Sequence, residues 1–144
     1  MTNNTLSLEK KEFLIGPFVT NNRLGLIGID DIKLYLIKTN WLTYFKYSVS
    51  TQIPLFTQTV DKLLSKSIAE LKENHEIEQI YLADLKGINV MKSKVWRNFI
   101  LIRHGDNEFK FEILEREKTG EYEEIIKILT ENLTTEKITL ANMV

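Results

Sequence analysis

The chain contains no cysteine, which excludes disulfide bonds, thiolate metal ligands and a cysteine nucleophile. No apolar run approaches the roughly 20 residues that a membrane-spanning helix needs. Opposite charges nearly cancel, to a formal net charge of -1, so no global attraction to nucleic acid or to an anionic membrane is expected. The polar segment 1–10 lacks the apolar core of a signal peptide. We therefore expect a cytoplasmic protein, and the frequent Lys, Asn and Ile suggest a bacterial or phage genome.

The composition indicates an ordinary globular domain. Of 144 residues, 43% are hydrophobic and 27% are charged, which is enough apolar material for one full-sized core. We predict a flexible N-terminal arm over 1–10, a single domain over 11–134 and a C-terminal tail over 135–144. In the tail, Ile138 and Leu140 either form a short added strand or lie free.

Apolar periodicity predicts a sheet that is interrupted by one helix and followed by another. Gly25 and Gly28 favour a bend or a bulge in the second strand. Short turns between strands favour antiparallel pairing, so the predicted class is α+β, with a curved antiparallel sheet or split β-barrel. The predicted strands are 13–15, 24–29, 32–37, 41–49, 77–82, 88–90, 95–103 and 109–113, and the predicted helices are about 58–73 and about 120–133.

Three segments resemble the pleckstrin-homology-like superfamily, particularly its bacterial and GRAM-type members. They are the opening hairpins, from Phe13-Leu14-Ile15 to Ile32-Lys33-Leu34-Tyr35-Leu36-Ile37; the segment Ile80-Tyr81-Leu82-Ala83-Asp84-Leu85-Lys86-Gly87-Ile88-Asn89-Val90; and the last hairpin with its helix, from Phe99-Ile100-Leu101-Ile102 through Phe109-Lys110-Phe111 to 122–133.

The resemblance implies a seven-stranded bent sandwich with the terminal helix closing one end. Such domains bind phosphoinositides, peptides or partner proteins. Lipid-binding members use a basic cluster in the first hairpin, where this chain has only Arg23 with Lys10 and Lys11 before it. The helix over 57–74 is a departure from the family pattern.

A basic segment is the first candidate binding surface. Lys92, Lys94 and Arg97 flank Trp96 near a predicted turn at 92–94, and this basic rim could contact phosphate or an acidic partner. The alternative is that these charges only keep the turn soluble. Trp41 is the further candidate, because with Tyr44, Phe45 and Tyr47 it could line a ligand pocket, although aromatic clusters more often belong to a core.

The remaining polar residues favour structural roles. His75 and His104 have no metal-ligand spacing and are interpreted as a helix-end and a turn residue. Asp30-Asp31 is interpreted as a turn held by side-chain to backbone hydrogen bonds. We therefore expect no catalytic residue, no metal and no cofactor.

The preferred hypothesis is a non-catalytic module that binds a protein partner through an aromatic or sheet-edge surface. A peripheral binder of anionic lipid, using the basic rim, is the first alternative. A small-ligand protein or enzyme with a pocket lined by Trp41, Tyr44 and Tyr47 is the second. No nucleic acid is expected as a partner, and a homo-oligomer through an exposed edge strand is possible under all three.

Overall fold

Eight strands and three helices form the described part of this computed structural model, which covers residues 12–42, 54–93, 98–114, 121–133 and 137–143. The predicted α+β class is confirmed. The strands are β1 (Phe13–Thr20), β2 (Arg23–Ile29), β3 (Lys33–Leu42), β4 (Glu76–Tyr81), β5 (Gly87–Ser93), β6 (Phe99–His104), β7 (Asn107–Ile113) and β8 (Ile138–Met143). The helices are α1 (Pro54–Leu64), α2 (Ile68–Asn74) and α3 (Glu121–Asn132).

The strands form one open, curved sheet in the order β4-β3-β2-β1-β7-β6-β5-β8. The expectation of purely antiparallel pairing is wrong at one end, where β8 pairs with β5 in parallel, from Ile88 opposite Ile138 to Ser93 opposite Met143. Parallel pairing is possible there because α3 lies in the connection that precedes β8, and parallel strands need such a crossover. Lys137 Nζ donates to Leu82 O at 2.6 Å, which fixes the start of β8. Of the two alternatives for the tail, the added strand is therefore observed.

One face of the sheet, here called the inner face, is covered by α3. Phe18 of β1 and Phe111 of β7 meet there edge to face, with ring centroids 5.5 Å apart. Residues from β1 to β7 and from α3 share this cluster: Ile15, Phe18, Ile27, Ile29, Leu34, Leu36, Ile80, Ile88, Val90, Ile100, Ile102, Phe111, Ile113, Ile125, Leu129 and Leu133.

The opposite, outer face of β1–β3 is covered by α1 and α2. Leu26 and Ile37, which are fully buried, belong to a second cluster that includes Val60 and Leu63 of α1 and Leu71 of α2. Strands β1–β3 are therefore buried on both faces. This double burial explains their near-continuous apolar sequences, since a strand covered on one side only would alternate.

The predicted single helix over 58–73 is two helices. Ser67 caps α2: its side chain accepts a hydrogen bond from the Glu70 N–H, while the Glu70 side chain accepts one from the Ser67 N–H. This reciprocal pair is a capping box, which starts a new helix. Pro54 is the first residue of α1, a position that suits proline.

Two local irregularities position the first strands. Gly16-Pro17, which contains a cis peptide bond, interrupts the β1–β2 pairing between Ile15 and Phe18 without ending the strand. A register shift between Arg23 and Gly25 in the β2–β3 pair leaves two extra residues on β3, so this irregularity lies opposite the second strand, where the bulge was predicted, and not in it. The turn predicted at 92–94 is wrong for Lys92 and Ser93, because pairing with β8 extends β5 to Ser93.

Candidate functional site

The predicted binding residues are only partly placed by the structure. Lys92 is exposed on β5, and its Nζ lies 5.2 Å from the centroid of the Tyr122 ring of α3. Lys94, Trp96 and Arg97 lie outside the described residues, so the basic rim stays a prediction. Trp41 belongs to β3, but its side chain is outside the described part, as are Tyr44 and Tyr47. The aromatic pocket therefore also stays a prediction.

A different feature, the edge of the sheet at β4, is well described. β4 pairs with β3 from Glu76 opposite Lys38 to Tyr81 opposite Lys33, and no described strand pairs with its other side. The Leu82 N–H donates to Ile32 O at 2.8 Å, which sets the phase of the antiparallel ladder. Because hydrogen-bonded and non-hydrogen-bonded pairs alternate, the backbone groups that point outward belong to Ile77, Gln79 and Tyr81.

Two large apolar side chains lie exposed at one end of this edge. Ile32 is 61% exposed and Tyr81 is 53% exposed. Lys33 Nζ lies 5.0 Å from the centroid of the Tyr81 ring and donates to Gln79 Oε1 at 3.0 Å. The cation holds the Tyr81 ring against the sheet and leaves apolar surface beside outward-pointing backbone groups.

Asp30 holds the turn that presents Ile32. Its Oδ1 accepts hydrogen bonds from the Ile32 and Lys33 N–H groups at 2.8 and 2.7 Å, and its Oδ2 accepts one from the Tyr35 hydroxyl at 2.7 Å. The predicted turn role of Asp30 is thus confirmed. Partial burial on its own would raise the pKa of Asp30, but the hydrogen bonds from Tyr35, Ile32 and Lys33 outweigh it and lower that pKa. Burial and the same carboxylate raise the pKa of Tyr35 to about 12.

The inner face of the β4 edge has a different character. Glu76 and Glu78 are exposed, and Lys38 Nζ lies 3.4 Å from Glu76 Oε2. A cavity of about 120 Å³ lies between this edge and β7; it is lined by both glutamates, Lys38, Leu36, Phe109 and Phe111, among others. The edge therefore combines carboxylates with an aromatic wall.

His75 connects α2 to β4. Its N–H donates to Leu71 O at 3.0 Å, and its buried Nδ1 has no partner among the described residues. Burial, together with the nearby Lys66, lowers the pKa of His75. The neutral imidazole is thus favoured, whereas a helix C-terminus alone would favour the charged form.

The amino-acid sequence does not mark the β4 edge by any local motif. A strand was predicted over 77–82, and β4 is observed at Glu76–Tyr81. Its place at the edge of the sheet, however, depends on which strands lie next to it. The available signal is composition, because charged side chains are frequent on edge strands, where they oppose aggregation. That protective role is also the simplest alternative explanation for Glu76 and Glu78.

Other features of the described residues provide context. A groove of about 660 Å³ lies between Phe13 and α3, with Glu123, Glu124, Lys127 and Glu131 along it. No group of three or more His, Asp or Glu in the described ranges could hold a metal ion. None of the helices described is both long and apolar enough to cross a membrane.

Comparison of the chain with family models, curated proteins and solved structures found no match.

Proposed function

We propose that this chain is a non-catalytic protein-interaction module that binds an extended segment of a partner along the free edge of β4. The observation that carries the proposal is the row of outward-pointing backbone groups at Ile77, Gln79 and Tyr81, next to exposed apolar surface. An extended peptide that adds to such an edge gains main-chain hydrogen bonds, and the side chains beside the edge supply selectivity.

The pleckstrin-homology-like relationship is part of the same proposal. It is supported by the order β4-β3-β2-β1-β7-β6-β5 and by α3, which follows β7 and packs on the inner face. Strand β8 and the pair α1–α2 are additions to that plan. A role in binding protein segments agrees with what the resemblance implies.

The basic rim has a secondary role in the proposal. Lys92 is exposed and could add long-range attraction to an acidic part of the partner. Binding to anionic lipid through the rim is the competing proposal, and vesicles with and without anionic lipid distinguish the two.

The test uses a proline substitution that blocks the free edge of β4, which is the side of the strand away from β3. Gln79→Pro removes an N–H that points away from β3, a change that edge strands tolerate. Gln79→Ala is the matched control, because it loses the same bond to Lys33 but keeps the N–H. A random displayed decapeptide library is selected on the immobilised wild type, and the enriched peptides are then measured against both variants.

We expect enriched peptides to bind the wild type and Gln79→Ala similarly and to lose at least about tenfold in affinity for Gln79→Pro, since a main-chain hydrogen bond and its neighbours are lost. Equal binding to all three proteins would place the binding surface elsewhere. A library without enriched peptides, together with retention on anionic vesicles, would replace the proposal with lipid binding.

A further inference from the structure

We propose that the segment bound at β4 is basic, with lysine or arginine at alternate positions facing Glu76 and Glu78 on the inner side. This inference rests on the proposed function, because it specifies the chemistry of the occupant of the same edge. It defines the partner as an extended protein segment in which basic residues alternate with apolar or neutral ones.

The geometry of the ladder decides which side chains meet. On an added strand, the residues opposite Glu76 and Glu78 lie on the inner face of the sheet. Toward the free edge of β4, these positions are the non-hydrogen-bonded ones. In an antiparallel addition, pairs at such positions bring side chains closest together. Opposite charges at these positions are therefore favoured.

The cavity beside this edge suits the same side chains. Lys38 partly neutralises Glu76, with which it forms the 3.4 Å pair, whereas Glu78 forms no ion pair with another described residue. Phe109 and Phe111 line the other side of the roughly 120 Å³ cavity. An aromatic wall accommodates the apolar stem of a lysine or arginine and attracts its cationic end.

The outer face of the sheet at this edge favours different side chains in the bound segment. Ile77, Gln79 and Tyr81 lie there, with Lys33 beside the Tyr81 ring. A basic residue facing this side would meet Lys33, while an apolar residue would cover exposed Tyr81 and Ile32. The two sides together therefore select an alternating sequence.

The same charges oppose two of the registers in which β4 could pair with a second copy of this chain, and a third register, centred on Gln79, would leave Glu78 opposite apolar Ile80 instead of a cation. A twofold pair centred on Glu78 would place Glu78 opposite itself, and one centred on Ile77 would place Glu76 opposite Glu78. Like charges directly opposite are destabilising. A different, basic segment is the better occupant.

The experiment uses three synthetic peptides of the form acetyl-Thr-Val-Xaa-Val-Xaa-Val-Thr-amide, in which Xaa is Lys, Ser or Glu. Dissociation constants are measured for the wild type, Glu78→Gln, Glu78→Lys and Gln79→Pro, at low and high salt. Thermal unfolding of each protein confirms that the variants are folded.

We expect the wild type to bind the Lys peptide about three- to tenfold more tightly than the Ser peptide, since each opposite-charge pair contributes modestly. The preference should decrease in Glu78→Gln, reverse toward the Glu peptide in Glu78→Lys and weaken at high salt. Gln79→Pro should bind each peptide at least about tenfold more weakly than the wild type does.

The two proposals fail in different ways. Equal binding of all three peptides, abolished by Gln79→Pro, would overturn the basic segment and leave the edge as the binding site. Binding of the Lys peptide that Gln79→Pro leaves intact would overturn both. No binding of the Lys peptide to the wild type would overturn the basic segment, and the library selection then decides on the edge alone.

Discussion

The two wings of the sheet differ in what covers them. The first wing, β1–β4, has α3 on the inner side of its strands and α1 and α2 on the outer side of β1–β3. The second wing, β5–β7, contributes Ile88, Ile100 and Phe111 to the inner cluster and turns polar or half-buried side chains outward. We therefore expect the two meanders to differ in their tolerance of substitution, because among the described residues only the first has a second core.

The wings also protect their edges differently. The edge of the second wing at β5 is covered by β8. The edge of the first wing at β4 is uncovered in the described part of the chain and carries Glu76, Glu78 and Gln79. Pairing with β8 satisfies the backbone groups of β5 and moves the edge of the sheet to β8, whereas charge on β4 discourages association without removing the free backbone groups.

The largest expected difference between the wings arises when aspartate replaces a leucine on the outer face of each one. Leu26→Asp should destabilise by more than about 4 kcal/mol, since it buries an unpaired carboxylate beneath α1 and α2. Leu101→Asp, at a half-buried outer position of β6, should cost about 1 kcal/mol or less. Urea unfolding measures both, and equal losses would mean that the outer face of the second wing is also covered.

Adding one methyl group to a glycine in each wing should produce a smaller difference in the free energy of unfolding. A Cβ at Gly25 would lie 2.9 Å from Thr20 Cγ2, 3.1 Å from Phe111 and 3.2 Å from Ile37 O, so Gly25→Ala should cost about 1–3 kcal/mol by overpacking. At Gly87 the nearest atoms are at 3.4 and 3.6 Å, which is ordinary contact.

Gly87→Ala is therefore the matched control and should change the free energy of unfolding by less than about 0.5 kcal/mol. Thermal and urea unfolding of the two variants make the comparison. A harmless Gly25→Ala would show that the β2–β3 bulge relaxes easily, contrary to the packing described above.

The smallest expected difference in stability comes from replacing an aspartate in one turn of each wing. Asp30→Asn should cost about 1 kcal/mol at neutral pH, because the charge that strengthens its hydrogen bonds is lost. Since the pKa of Asp30 is lower in the folded chain, its stabilisation is present above the ordinary carboxyl value of 3.8 and is lost as the pH falls through the folded value. The difference between wild type and variant should therefore shrink in acid.

Asp106→Asn provides the control in the exposed β6–β7 turn, where a change within about 0.5 kcal/mol is expected. Unfolding curves collected from neutral pH into the acid range provide the measurement. A wild-type advantage over Asp30→Asn that stays constant in acid would mean that ionised Asp30 does not stabilise its turn.

Much of the fold was predictable because it depends on local patterns. The alternation at Phe109 and Phe111, the stripe of α3 and the turn at Asp30 depend on side-chain period and on hydrogen bonds between near neighbours. The capping box at Ser67 and Glu70 is also a local sequence pattern, and it marks the point at which 58–73 divides into two helices.

The candidate site was less predictable because it depends on contacts between distant segments. Lys92 and Trp41 were chosen for residue type, whereas the β4 edge is defined by the side of the strand that pairs with none of the other described strands. The cavity joins residues as distant in sequence as Leu36 and Phe109, and no local spacing marks such a pair.

By itself, the sequence determined the α+β class, most strand positions and the apolar strips that form the core, because these follow from the local period of apolar side chains. The tertiary structure alone decided that β8 covers β5, that α1 and α2 create a second core and that β4 lies at an edge of the sheet formed by the described strands. Pairing partners are chosen by burial summed over the whole chain, so a strand's own residues leave its neighbours undetermined.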